Sequence, residues 1–195
     1  MIQSSSEYHY FLEADRIALG IKKGDLDFFN DIWKFERILR KTEYFVNCKN
    51  NFFWKPYIFF LKWKKYHLSL KLGFSIPLNT FGPGLSIAHH GTIVVNKGTR
   101  VGANCRIHTG VNIGTAAGFS DNAPKIGDNV YIGPGAKIFG EIEIAGNIAI
   151  GANAVVNKSF SEPGITIAGV PAKKISNKGS AGLLIKGTDL VPLSK

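Results

Sequence analysis

Branched aliphatic residues recur every six positions through the second part of the chain. Ile or Val occupies ten positions of this register, which breaks once: Val95, Val101, Ile107, Ile113, Ile126, Ile132, Ile138, Ile144, Ile150 and Val156. Small or aliphatic residues stand four places after most of them. A helix cannot keep a six-residue period on one face, and a simple strand alternates every two residues. The pattern predicts short strands joined by tight turns and wound into a parallel β-helix, with about 18 residues in each three-strand coil.

The register breaks between residues 114 and 125, where the sequence reads GTAAGFSDNAPK. Glycine and Asp-Asn are typical of turns, so this segment is predicted to be a loop that leaves the prism between two coils. Loops on rigid scaffolds often carry functional residues. With the loop set aside, residues 85–175 are long enough for about five coils.

The first 72 residues follow a different pattern, with apolar groups at intervals of three and four. Phe28, Ile32, Phe35 and Leu39 form one such stripe, which predicts an α-helix. This part holds 17 of the 23 aromatic residues but only two of the 22 glycines. The chain is therefore predicted to be mainly β, with a helical domain over 1–72 and a β-helix over 73–175. Residues 176–195 form a tail that is either free or folded over the last coil.

Charge narrows the range of partners. The chain has 24 Lys and Arg against 14 Asp and Glu, a net charge of +10, which favours anionic partners. No nucleic-acid recognition motif accompanies the charge, so nucleic acid is not expected. The aromatic and basic stretch 52–66 is either a packed helical cap or a surface for peripheral membrane association. It is too interrupted to span a bilayer, and with no visible secretory signal a cytoplasmic location is expected.

Several segments together resemble the hexapeptide-repeat acyltransferases: GPGLSIAHHGTIVVN, RIHTGVNIGT, PKIGDNVYIGPGAKIFG, IAIGANAVVNK and IAGVPAKKI. The resemblance covers about residues 73–175 and is strongest to the serine acetyltransferase-like branch, which includes O-acetyltransferases of surface polysaccharides. It implies left-handed coiling and a homotrimer, or a hexamer if the helical domains join two trimers. It also implies acetyl-CoA as co-substrate, bound in a cleft between neighbouring prisms.

The same resemblance assigns roles to individual residues. It places the catalytic base at His89. It places the contacts to CoA at Gly114, Thr115, Gly133, Pro134, Gly151, Ala152, Pro171, Lys173 and Lys174. The last three of these would contact the nucleotide end of CoA.

Acetyl transfer to a hydroxyl needs a base of near-neutral pKa and donors for the oxyanion, and it needs no metal. His89 suits the first role, although its spacing from Val95 would also fit a histidine packed inside the prism. His108 follows 19 residues later, on the next coil, as a second site residue or as a side chain turned to the opposite face. Ile113 stands where a zinc site on this fold would need another histidine, so no metal is expected.

Two departures from the family pattern bear on the acceptor. Phe74 stands where the family's DIHP motif has the aspartate that pairs with the catalytic histidine, and Ala123 replaces a second histidine. An acid for His89 would then come from Asp15, Asp121 or another subunit, with a backbone carbonyl as the alternative. These departures favour a saccharide as the acceptor. The basic surface of the protein would attract an anionic saccharide.

The leading expectation is accordingly an acetyl-CoA-dependent O-acetyltransferase that acts on a sugar hydroxyl in surface polysaccharide biosynthesis. The first alternative is a serine O-acetyltransferase of cysteine biosynthesis. The second is a non-catalytic β-helix scaffold.

Overall fold

Three α-helices precede a left-handed parallel β-helix. The computed structural model describes residues 1–24, 30–118 and 122–191. The helices are α1 (Ser5–Ala18), α2 (Asp31–Cys48) and α3 (Lys55–Leu72), with a 3₁₀ turn at Phe52–Trp54 and a short α4 (Gly187–Leu190). The strands are β1 (Phe74–Ser75), β2 (Ser86–Ile87), β3 (Ile93–Val95), β4 (Arg100–Val101), β5 (Arg106–Ile107), β6 (Asn112–Gly114), β7 (Lys125–Ile126), β8 (Tyr131–Ile132), β9 (Lys137–Phe139), β10 (Glu143–Ile144), β11 (Ala149–Ile150), β12 (Val155–Val156), β13 (Thr166–Ala168) and β14 (Lys173–Ser176).

The strands form the three faces of a prism. The first face is β1-β3-β6-β9-β12, the second is β4-β7-β10, and the third is β2-β5-β8-β11-β13, closed by the antiparallel β14. Ile132 pairs with Ile150, 18 residues later, as one three-strand coil requires (132 to 150). Ile107 pairs with Ile132, 25 residues later (107 to 132), because the loop lies between them.

The interior of the prism is a stack of branched aliphatic side chains. All ten residues of the six-residue register are at most 6% exposed, and so are seven of the residues that follow them by four places: Cys105, Val111, Val130, Ala136, Ile142, Ile148 and Ala154. The repeat therefore predicted both the strands and the core correctly, since each register position places one side chain on the axis of the prism. Stacking removes this apolar surface from water, which stabilises neighbouring coils together.

Local signals set the ends of the helices. The Ser4 side chain accepts a hydrogen bond from the N–H of Glu7 and so caps the start of α1. Pro56 lies in the first turn of α3, and Gly73 ends that helix with a φ of 79°. Ile32, Phe35 and Leu39 are buried as the stripe predicted. Phe28, the fourth member of the stripe, lies outside the described residues.

A buried charged cluster joins α1 and α2 to the first coil. The Arg40 Nε donates to Asp15 Oδ2 at 2.7 Å, and its Nη1 donates to Glu43 Oε2 at 3.0 Å. The Asp15 carboxylate also accepts from the backbone N–H groups of Gly84 and Leu85, both at 2.8 Å. The helices thus satisfy backbone donors at the open end of the β-helix, where no further coil can pair with them.

The tail runs back along one corner of the prism, between the second and third faces. The Ser180 hydroxyl donates to the Asn129 carbonyl at 2.6 Å, and the Asn104 side-chain amide donates to the Thr188 hydroxyl at 2.7 Å. At its end Gly187 packs so closely on α1 that a Cβ there would lie 2.1 Å from the Ala14 carbonyl oxygen. The described part of the tail therefore links the β-helix back to the helical domain.

Candidate active site

The corner between the third and first faces, here called the histidine corner, gathers most of the predicted site residues. Third-face strands pair in register through Ile87, Ile107, Ile132, Ile150 and Ile167. The turns that follow these residues are therefore stacked in the same order. They carry His89, His108, Gly133–Pro134, Gly151–Ala152 and Ala168–Gly169. With a strand spacing of about 4.8 Å, this row is roughly 19 Å long.

The two predicted histidines meet at the upper end of this corner. The ring centroids of His89 and His108 lie 6.1 Å apart. His89 is exposed and His108 is half-buried, so neither is packed inside the prism. Gly91 turns the chain two residues after His89 with a φ of 124°, and a Cβ there would lie 2.2 Å from the Thr109 hydroxyl. Glycine at this position lets the two turns lie close together.

A backbone hydrogen bond sets the tautomer of His108. Its Nδ1 lies 3.0 Å from the Ile132 carbonyl oxygen, which can only accept. Neutral His108 therefore carries its proton on Nδ1 and leaves a lone pair on Nε2. Burial lowers the pKa of His108 below its ordinary value of 6.5, with Arg106 and His89 adding to the lowering and the bond to Ile132 opposing it. His108 is accordingly neutral at pH 7.

Tyr131 extends this cluster and was missed by the sequence analysis. Its ring centroid lies 4.9 Å from that of His108, on the next coil down. Tyr131 pairs in register with Arg106, whose Nη1 donates to the Ser86 hydroxyl at 3.0 Å. Tyr131 could have been recognised from its position immediately before the register residue Ile132. Successive side chains of a strand point to opposite faces, so Tyr131 points outward, away from the core.

The predicted CoA contacts lie on two different corners. Gly133, Pro134, Gly151 and Ala152 lie below the histidines, and a Cβ on Gly133 would come within 2.8 Å of the Ala152 nitrogen. Pro171, Lys173 and Lys174 are exposed in the turn and strand that close the lower end, where the Ala172 N–H donates to the Val155 carbonyl at 2.8 Å. Gly114 instead ends the first-face strand β6 and Thr115 follows it, so one chain does not bring them to the histidine corner.

The positions that departed from the family pattern have structural roles. Phe74 is buried, and its ring centroid lies 5.1 Å from that of Phe35 in an edge-to-face contact. It is part of the core between α2 and the first coil. Ala123 lines an open groove of about 950 Å³ on the second face, beside Lys125.

Neither acid offered for His89 is placed there by the described structure. Asp15 is fully buried in the cluster with Arg40, so its carboxylate does not lie on the solvent-exposed surface of α1. Asp121 lies outside the described residues. Among the described residues, no three His, Cys, Asp or Glu side chains are grouped so that they could hold a metal ion. No described helix is both long and apolar enough to cross a bilayer.

Comparison with known proteins relates this fold and site to one class. The structure resembles the serine acetyltransferase of Brucella abortus strain S19, with a TM-score of 0.70 and 26% identity over 90% of this chain and 72% of that one. The serine acetyltransferase of Neisseria gonorrhoeae gives a TM-score of 0.70 and 27% identity over 90% and 69%. A solved serine acetyltransferase in complex with CoA gives 0.69 and 25% over 89% and 72%. No family model matches the chain.

Sequence relatives agree with this class over a shorter stretch. The serine acetyltransferase of Staphylococcus xylosus is 38% identical over 99 residues, which are 50% of this chain and 45% of the relative. That of Staphylococcus epidermidis is 37% identical over the same length. The chain thus spans less than half the length of the curated relatives it matches. Together the comparisons support the serine acetyltransferase-like hexapeptide-repeat acyltransferases as the family that the chain resembles.

The comparisons contradict the leading expectation about the acceptor. The relatives and solved structures above are named serine acetyltransferases, and they favour the alternative over a sugar hydroxyl. The expectation depended on Phe74 and Ala123 together with the resemblance to a branch that includes polysaccharide O-acetyltransferases. Loss of two side chains removes particular contacts, but it does not build a binding site for a different acceptor.

Proposed function

We propose that this protein transfers the acetyl group of acetyl-CoA to the hydroxyl of L-serine at the histidine corner. The observation that carries the proposal is the pairing of His89 with His108 directly above the stacked Gly133–Pro134 and Gly151–Ala152 turns. The likeness to serine acetyltransferases, one of them solved with CoA, supports both the donor and the acceptor.

The reaction is a direct transfer. His89 takes the proton from the serine hydroxyl while its oxygen attacks the thioester carbonyl carbon. The C–O bond forms, the C–S bond breaks, and the CoA sulfur receives the proton from His89. Neutral His108 suits this step, because His89 can become an imidazolium without a second positive ring beside it. Backbone N–H groups of the glycine-rich turns are the candidate donors to the oxyanion.

Acetyl-CoA would lie along the histidine corner. The thioester would lie beside the two histidines and the nucleotide end beside Lys173 and Lys174, which are exposed at the lower end. Lysine near phosphate gives a favourable charge interaction. Gly114–Thr115 lies on another corner, so a site that uses all the predicted contacts takes them from two chains. We infer a homotrimer with its sites between neighbouring prisms, which sedimentation of the full chain would test.

Steady-state thiol release from acetyl-CoA with L-serine tests the activity. His89→Ala should lower kcat by about 10²- to 10⁴-fold, the usual contribution of a positioned general base. His90→Ala is the matched control, since His90 is exposed and adjacent, and it should keep nearly full activity. Full activity of His89→Ala would refute the mechanism.

Two further outcomes would overturn the assignment itself. Thiol release with sugars but not with serine would show that the acceptor is wrong. Absence of acetyl-CoA binding by calorimetry would leave a non-catalytic scaffold as the better account.

A further inference from the structure

The 3₁₀ turn and the outer face of α3 expose an unusual amount of aromatic surface. Phe52, Phe53 and Phe59 are 79%, 87% and 73% exposed. Along α3 the exposed ridge continues at Trp63, Tyr66 and Leu70. The spacing from 59 to 70 is four, three and four residues, so these side chains form one stripe on the helix. We call the six residues Phe52, Phe53, Phe59, Trp63, Tyr66 and Leu70 the aromatic ridge.

The ridge is distinct from the face by which α3 packs on the protein. Ile58, Leu61 and Leu72 are buried and point the opposite way. α3 is therefore apolar on two faces, and only one of them is covered by the part of the chain that the structure describes. Apolar patches of this kind mark interaction sites on proteins or membranes.

Lysines border the ridge along one edge. At 100° per residue, Lys55 and Lys62 lie beside the stripe. Lys64 lies further round the helix, where it lines a cavity of about 310 Å³ together with Arg37 and Lys41. The sequence holds no Asp or Glu from residue 44 to residue 120. The border of the ridge is thus strongly positive.

This charge pattern distinguishes between possible occupants. A second copy docked ridge to ridge would bring the same lysines together, and α3 has no acid to pair with them. Lys71 is already paired with Asp31 of α2. An anionic lipid surface supplies the missing charge, and its interface accommodates Trp, Tyr and Phe with lysines at headgroup level.

We propose that the aromatic ridge and its bordering lysines bind the surface of an anionic membrane. The aromatic side chains enter the headgroup region, while Lys55 and Lys62 contact lipid phosphates. The β-helix and the histidine corner remain in the aqueous phase. This proposal is independent of the acetyl transfer proposed above.

Co-sedimentation of the full chain with vesicles provides the test. Vesicles of phosphatidylcholine with phosphatidylglycerol should bind the protein, and vesicles of phosphatidylcholine alone should bind it far more weakly. Each lysine near an anionic surface contributes about fivefold, so Lys55→Glu/Lys62→Glu should weaken binding by about 30-fold or more. Lys97→Glu/Lys178→Glu is the matched control, because it changes the net charge equally at exposed sites on the β-helix and tail.

A second variant tests the apolar part. Phe52→Ser/Phe53→Ser should weaken vesicle binding by about tenfold or more while leaving the unfolding midpoint unchanged, since both side chains are exposed. Failure of the wild type to bind anionic vesicles would overturn the proposal, and so would equal weakening by the control pair. A lower sedimentation mass of the Phe52→Ser/Phe53→Ser variant with unchanged vesicle binding would instead assign the ridge to a second copy.

Discussion

Replacing Arg40 by methionine tests whether the buried charged cluster holds the helical domain on the β-helix. The Arg40 side chain is fully buried and donates to Asp15, Glu43 and the carbonyl oxygens of Phe81 and Gly82. Methionine keeps much of the volume but leaves both carboxylates buried without their cation. Removing one partner of a buried ion pair costs about 3–5 kcal/mol. That is a large share of the roughly 5–15 kcal/mol by which domains are stable.

Equilibrium unfolding in urea at fixed protein concentration measures this loss. Arg37→Met is the matched control, one turn earlier on α2 at an exposed position, and should change the free energy of unfolding by less than about 0.5 kcal/mol. Burial raises the pKa of Asp15 and Arg40 opposes this, so loss of Arg40 should raise it further. The destabilisation should therefore shrink as pH falls and Asp15 becomes protonated. A loss below about 1 kcal/mol at neutral pH would refute the role given to Arg40.

Two other predictions concern pH. Burial and the charge of Asp15 raise the pKa of Glu36 well above its ordinary 4.5. The folded state therefore binds more protons than the unfolded state, and the protein loses stability as pH rises from 4.5 towards the raised value. Glu36→Gln should flatten that decline in urea unfolding, and an unchanged pH profile would contradict the assignment. The pKa of His108 is lowered in the folded state. Its contribution to the free energy of unfolding is therefore present above pH 6.5 and is lost as pH falls towards the folded-state pKa. NMR titration should show His108 protonating below pH 6.5, and a midpoint above 6.5 would be inconsistent with the partly buried ring.

The sequence analysis succeeded where the signal was periodic. Each Ile or Val of the six-residue register occupies the same place in its own coil, so ten positions specify one arrangement independently. The histidines could be placed on adjacent coils from their spacing. Whether both faced outward could not be decided, because a shift of one residue reverses a side chain. The structure settles this, since His89 is exposed, His108 is half-buried, and their ring centroids lie 6.1 Å apart.

The sequence by itself determined the β-helix and its core, because these follow from a repeated local pattern. Only the tertiary structure decided the surroundings of single residues. Asp15 is buried because Arg40, 25 positions away, and the backbone N–H groups of Gly84 and Leu85 meet it there. Tyr131 likewise contacts His108 because β8 pairs with β5 in the folded structure. Such contacts link residues far apart in the chain, and one isolated charge or ring carries no periodic signal that could reveal its partner.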